Sequence, residues 1–264
     1  MNLNTQRSFL ESRLKKIQLP IVCLTAYTAP IARIVDKYAD IVLVGDSVGP
    51  VLYGYESTRE VDIETIVRHA TAVVKNVRKS IVVVDMPFGT YENSKRKALK
   101  NAKRILFESG ATAVKLEGGE DIFEIIKHLT KNNINVMGHI GMLPQSLKGK
   151  YRVYGKTTKE KKQFFRDFEY LKSTEVFAIV VECTIKSLVD KIIKECNIPI
   201  IGIGASFNCQ GQVLVTEDIL GLTEFDAKFL KKYANLKKII HLSINTFLKD
   251  VKNKKYPKNS NCYK

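Results

Sequence analysis

The sequence lacks a paired set of cysteines. The five it has, Cys23, Cys183, Cys196, Cys209 and Cys262, are odd in number, scattered and without Cys-x-x-Cys spacing. A disulfide framework or thiolate zinc site is thereby excluded, and reduced thiols in a cytoplasmic protein are expected. No apolar run approaches the roughly 20 residues that cross a bilayer. Residues 1–16 are polar and charged, without the apolar core of a secretory signal. A Gly-x-Gly-x-x-Gly fingerprint after the first strand is also missing, which argues against an open dinucleotide-binding sheet. Internal repeats are absent. Acidic residues are few, 27 against 43 basic ones, and the net charge of +16 raises the question of nucleic acid. Only 10 of the basic residues are arginine, however, and base-reading sites favour arginine's fork. The lysines are spread along helices and gather in the last 16 residues, the pattern of a solvated surface. No nucleic-acid or membrane partner is expected, although a positive field attracts anionic small molecules.

What is present is ordinary globular material: 264 residues, 45% hydrophobic and 27% charged. Apolar runs and helical stripes alternate. Strands are predicted at 21–27, 41–45, 80–84, 113–117, 135–139, 177–181, 198–203 and 213–215. Helices are predicted at 4–16, 29–38, 62–78, 93–109, 121–132, 159–173, 187–195 and 230–251. A polar loop spans 145–158, and loops of that length inside a compact domain are usually functional. About eight strands alternating with helices predict an α/β fold, a (β/α)₈ TIM barrel with a short N-terminal helix. One domain is expected over 1–264, with a basic tail fraying from about 252.

The chemistry gathers at the strand ends. Asp46 and Ser47, Asp85, Lys115 and Glu117, His139 and Glu182 all lie at C-terminal ends, which face one mouth in such a barrel. Lys115 and Glu117 are two apart in one strand and share a face. A Lys and a Glu there are costly unless paired or liganded. Taken singly, Asp46 reads as a helix cap, His139 as a core histidine and Lys115 as a partner for Glu117. Together they suggest more. Three carboxylates without a His-Cys cluster suit a hard cation such as Mg²⁺. A cation so held chelates a 2-oxo acid and stabilises an enolate. Glu182, on a separate strand, is placed to remove the proton.

The order of motifs then resembles a known family. Leu-Thr-Ala-Tyr at 24–27, Val-Gly-Asp-Ser at 44–47, Asp-Met-Pro-Phe at 85–88 and Val-Lys-Leu-Glu-Gly-Gly at 114–119 come first. Gly-His at 138–139, Leu-Pro-Gln-Ser at 143–146, Val-Glu-Cys at 181–183, Ile-Pro-Ile-Ile-Gly-Ile-Gly-Ala at 198–205 and Gly-Gln-Val-Leu-Val at 211–215 follow. Together, from about Pro20 to Asn235, they resemble the ketopantoate hydroxymethyltransferase family. The resemblance implies a (β/α)₈ barrel that transfers the one-carbon unit of 5,10-methylenetetrahydrofolate to 3-methyl-2-oxobutanoate. The product is 2-dehydropantoate, on the route to pantothenate and coenzyme A. The resemblance also implies one Mg²⁺ per subunit at Asp46 and Asp85, with Glu117 as the third acid. Asp46, Ser47, Asp85 and Lys115 become oxo-acid contacts, His139 a substrate-orienting residue and Glu182 the proton acceptor. A cytoplasmic homo-oligomer, often a decamer, is implied as well. Lys150 and Arg152 are expected to attract the folate's glutamate charge.

The sequence departs from the family pattern at Ser206, Gln210, Glu217 and Ala227, where folate and subunit contacts are expected. A second reading is a related Mg²⁺-dependent carbon–carbon lyase or mutase acting on a 2-oxo acid. It shares the metal chemistry and needs no folate.

Overall fold

Burial on both faces defines the central strands. In the computed structural model, which describes residues 3–147 and 151–263, β2 (Ile41–Val44), β3 (Ile81–Asp85), β4 (Ala113–Glu117) and β6 (Ala178–Glu182) are buried at every position. Strands of that kind need cover on both sides, which a parallel sheet obtains from crossover helices. With β1 (Ile21–Thr25), β5 (Val136–Gly141), β7 (Ile200–Ile203) and β8 (Gly211–Leu214), they pair in chain order. All neighbours are parallel, and β8 closes on β1 through Ile21 opposite Gly211, the predicted closed barrel.

Strand parity then decides which side chains point inward. Ile41 and Leu43, Ile81 and Val83, Ala113, Met137, and Ala178 and Val180 belong to the cluster inside the barrel. Val42, Val44, Val82, Val84, Val114, Leu116, Ile179 and Val181 belong to the cluster beneath the helices. Continuing the inward parity by two or four residues reaches Asp85, Lys115, Glu117, His139 and Glu182. The strands therefore aim five ionisable side chains into the C-terminal mouth.

The outer layer contains α2 (Ala29–Val35), α3 (Ile63–Val74), α4 (Lys95–Ser109), α5 (Phe123–Lys131), α6 (Thr158–Lys172) and α7 (Lys186–Lys194), after an N-terminal α1 (Leu3–Leu14). Their limits follow local chemistry. Ser94 accepts a hydrogen bond from the Lys97 amide to open α4, and Gly110 closes it at φ 79°. Thr157 and Glu160 form a capping box that opens α6.

The structure differs from the sequence expectation at two places around the barrel. β8 starts at Gly211, two residues early, because the chain approaches β1 so closely there. A Cβ on Gly211 would lie 2.7 Å from Ile21 Cβ. Glycine's low strand preference hid that start. Residues 204–210 join β7 to β8 without a helix. Two short helical turns that periodicity does not reveal lie in the connection from β2 to α3, a π-helical turn at Gly49–Tyr53 and a 3₁₀ turn at Thr58–Glu60.

The chain divides into two compact units, Met1–Val215 and Thr216–Lys264. All eight strands lie in the first. The second contains α8 (Thr216–Ile219) and α9 (Leu236–Lys252), with a 3₁₀ turn at Asn259–Asn261. α9 begins at Leu236 rather than Leu230 because the Asn235 side chain accepts from the Lys238 amide and sets the cap there.

One glycine fixes the approach of β5 to β6. Gly141 has φ 97°, and a Cβ there would lie 2.5 Å from the Glu182 carbonyl oxygen. Gly141→Ala is expected to lose about 1–3 kcal/mol of stability from overpacking alone, with backbone strain in addition. Urea denaturation of the two proteins measures this, and an unchanged midpoint would contradict the close approach.

Candidate active site

The strand ends enclose a cavity of about 80 Å³. Its lining includes Thr25, Asp46, Ser47, Thr58, Asp85, Lys115, Glu117, His139, Tyr151 and Glu182, with Leu43, Val180, Ile203 and Val213 as apolar wall. All the site residues read from the strand ends thus meet at one place. Asp46, Asp85, Lys115, Glu117, His139 and Glu182 are all buried.

The charges are paired in a chain. Lys115 Nζ lies 3.0 Å from Asp85 Oδ1. His139 stands between two acids, with Nδ1 3.5 Å from Glu117 Oε1 and Nε2 3.4 Å from Glu182 Oε2. Burial and the neighbouring Lys115 oppose a charged imidazole. The two glutamates prevail, and His139 is pushed up to about 9, so it carries a proton at neutral pH. Lys115 is likewise raised, because Asp85, Glu117 and Asp46 outweigh the cost of its burial. The half-exposed Tyr151 has its phenol raised by burial and by the charges of Glu182, Asp46 and Glu117.

The acids divide into two kinds. Burial first, then the charges of Asp85 and Glu117, raise the Asp46 carboxyl well above its ordinary range. Burial also raises Asp85, against the pull of Lys115. Glu117 is lowered instead: burial is outweighed by His139, Lys115 and the Gln145 amide. Asp85 accepts the Asp46 amide on Oδ2 at 3.0 Å, while its buried Oδ1 makes no aligned hydrogen bond among the described residues.

This donor set fits a hard divalent cation. Asp46 and Asp85 supply anionic oxygens, burial raises both carboxyls, and among the described residues Lys115 beside Asp85 is the one cation paired with them. Glu117 has both oxygens turned to other partners, Oε2 to the Gln145 amide at 2.9 Å and Oε1 to His139. Among the described residues, no group of three or more His, Cys, Asp or Glu side chains stands close enough together to hold a metal as it is.

Several residues at the site were not reached from the sequence. Gln145 donates Nε2 to Asp46 Oδ2 at 2.8 Å and to the Met86 carbonyl at 3.0 Å, and accepts from Tyr91 at 2.8 Å. With its backbone amide on Glu117, it therefore holds two of the acids at once. The buried Tyr27 hydroxyl lies 2.7 Å from Ser47 Oγ and fixes that side chain. The signal for both lay in quoted motifs, Leu-Pro-Gln-Ser and Leu-Thr-Ala-Tyr, but neither residue carries a charge that would single it out. Lys150 lies outside the described residues. Arg152 is already answered by Glu160, 2.5 Å away. Two of the departures from the family pattern have local partners. Ser206 Oγ donates to Asp190 at 2.5 Å, and Gln210 Oε1 accepts the Ile200 amide at 3.0 Å.

The family model for ketopantoate hydroxymethyltransferase matches residues 7–259. A 3-methyl-2-oxobutanoate hydroxymethyltransferase from Pelagibacter ubique is 47% identical over 249 residues, 94% of this chain and 96% of that one. One from Rhizobium etli is 47% identical over 248 residues, covering 93% and 91%. Among solved structures, a phosphonopyruvate hydrolase complexed with oxalate and magnesium aligns with a TM-score of 0.62 at 10% identity, covering 99% of this chain and 93% of that one. A 2,3-dimethylmalate lyase of the PEP mutase/isocitrate lyase superfamily aligns at 0.60 and 10% identity, covering 94% and 88%. At such identity these two share the barrel fold.

Proposed function

The chain belongs to the ketopantoate hydroxymethyltransferase family, and from that premise we propose how its barrel mouth condenses 3-methyl-2-oxobutanoate with the one-carbon unit of 5,10-methylenetetrahydrofolate to give 2-dehydropantoate. The observation that carries the assignment of roles is the convergence of Asp46, Asp85, Lys115, Glu117, His139 and Glu182 on one cavity. Asp46 and Asp85 would hold the divalent cation, magnesium, with Glu117 as the third acid of the set. When bound, the cation supplies positive charge beside the oxo acid's keto and carboxylate oxygens.

The protein's own groups do the rest. Glu182 takes the single proton from C3, which the neighbouring keto group acidifies. Lys115 sets a fixed positive charge where negative charge develops on the substrate. His139, held between Glu117 and Glu182, orients the base. Ser47, fixed by Tyr27, contacts the substrate carboxylate. The apolar wall of Leu43, Val180, Ile203 and Val213 takes the branched hydrocarbon and keeps water from the carbanion. That carbanion then attacks the folate-borne methylene to form the new carbon–carbon bond; the methylene's remaining bond to folate nitrogen breaks, water supplies the product hydroxyl, and tetrahydrofolate leaves.

A lyase or mutase of the same barrel type would share the metal chemistry, but the family match over most of the chain favours the transferase. We further propose a cytoplasmic homo-oligomer acting on small molecules. Among the described residues no helix is long and apolar enough to cross a membrane. α9 presents Ile240, Ile244, Phe247, Leu248 and Val251 to solvent at helical spacing, an apolar face that suits association. An assay with both substrates, with and without EDTA, tests the central reading. Product is expected only with the divalent ion. Equal rates in EDTA would remove the metal role, and absence of product under both conditions would remove the transferase.

A further inference from the structure

Thr58 sits in the 3₁₀ turn Thr58–Glu60, fixed by the capping box of Ser57 and Glu60. Thr58 lines the same cavity as Asp46, Ser47 and Asp85. The residue is 7% exposed, and its hydroxyl has no hydrogen-bond partner among the described residues. A buried hydroxyl left unpaired is unfavourable, so one that borders a cavity is matched to something that enters it.

The charges on the wall say what that is. The cavity's cations are already in ion pairs: Lys115 with Asp85, and His139 with Glu117 and, without an aligned hydrogen bond at Nε2 among the described residues, with Glu182. An anionic ligand entering among carboxylates needs neutral donors as well. A carboxylate accepts and cannot donate, so the Thr58 hydroxyl must be the donor in that pair. We propose that Thr58 is a substrate-binding residue, donating its hydroxyl proton to a carboxylate oxygen of the 2-oxo acid. This rests on the reading of the cavity as the oxo-acid site.

Thr58→Val replaces the hydroxyl by a methyl of the same shape, and Thr58→Ser keeps the hydroxyl. C3 hydrogen exchange of 3-methyl-2-oxobutanoate in D₂O is followed by NMR for each, with magnesium and without folate. Thr58→Val is expected to raise the KM for the oxo acid about 10- to 100-fold, the range for one hydrogen bond to a charged group. Its kcat should be nearly unchanged, and Thr58→Ser should stay close to wild type. The melting temperature of ligand-free Thr58→Val should be equal or higher, because an unpaired hydroxyl has been removed. A structural hydroxyl would move these readouts the other way, lowering the melting temperature and leaving KM in place, and that result overturns the proposal. So does an equal rise in KM for the Ser and Val variants, which would assign the effect to the methyl. If the wild type itself catalyses no exchange, the reading of the site fails, which is a separate outcome from failure at Thr58.

Discussion

Glu182→Gln is expected to abolish C3 hydrogen exchange of 3-methyl-2-oxobutanoate in D₂O and to reduce turnover by about 10²- to 10⁴-fold, the usual contribution of a general base. Glutamine keeps the size and shape of the side chain and removes the proton acceptor. The substitution is structurally mild. Glu182 ends β6, its backbone stays paired with β7 through Ile203, and its close side-chain neighbour is His139 at 3.4 Å. KM for the oxo acid should change little, since binding rests on other residues. Exchange measured by NMR separates this step from folate chemistry, because the proton leaves before the one-carbon unit arrives. Exchange at the wild-type rate in the variant would assign the base elsewhere.

Asp46→Asn is expected to cost metal affinity and turnover while leaving the barrel folded. The Gln145 amide still finds a carbonyl oxygen on the substituted side chain, so the local hydrogen bond survives. The negative charge does not. We expect at least a roughly 100-fold weaker dissociation constant for Mn²⁺, read by electron paramagnetic resonance, since a second anionic ligand from Asp85 cannot replace the first. Stability should move in the opposite direction. Burial, Asp85 and Glu117 raise the Asp46 carboxyl in the folded chain. A carboxyl with a raised folded pKa disfavours folding once pH exceeds its unfolded value, about 3.9, because the unfolded chain ionises more readily. In EDTA at pH 7 the Asn variant should therefore melt at a higher temperature than the parent. The difference should vanish as pH falls below about 4. A lower melting temperature at pH 7 in EDTA would show that Asp46 stabilises the fold, contrary to its surroundings.

The parts of this molecule legible in the sequence were those that violate a local rule. Val-Lys-Leu-Glu at 114–117 places two charges in a strand that is otherwise apolar, and parity puts both inside the barrel. Asp85 and Glu182 likewise extend apolar runs by one inward step. The barrel followed from continuous apolar strands alternating with amphipathic helices such as α3, where Ile66, Val67, Ala70 and Val73 are buried. Less legible were neutral residues whose importance comes from long-range contact. Gln145 and Thr58 sit in short helical turns with ordinary loop composition, and their partners are brought near only by closure of the barrel. β8 was shortened for a related reason, since Gly211 is required by the proximity of Ile21 and not by anything in its own neighbourhood.

Gln145 has a bearing on synthesis as well as chemistry. Its side chain reaches Asp46, 99 residues earlier in the chain. Asp46, Asp85 and Glu117 all leave the ribosome before it does, and until it docks they lack the amide that spaces Asp46 from Glu117. A nascent chain that has completed four strands thus contains the three acids but not the arrangement in which Gln145 holds Asp46 and Glu117. Any chemistry that needs these acids held together becomes available only after the turn beyond β5 has folded down.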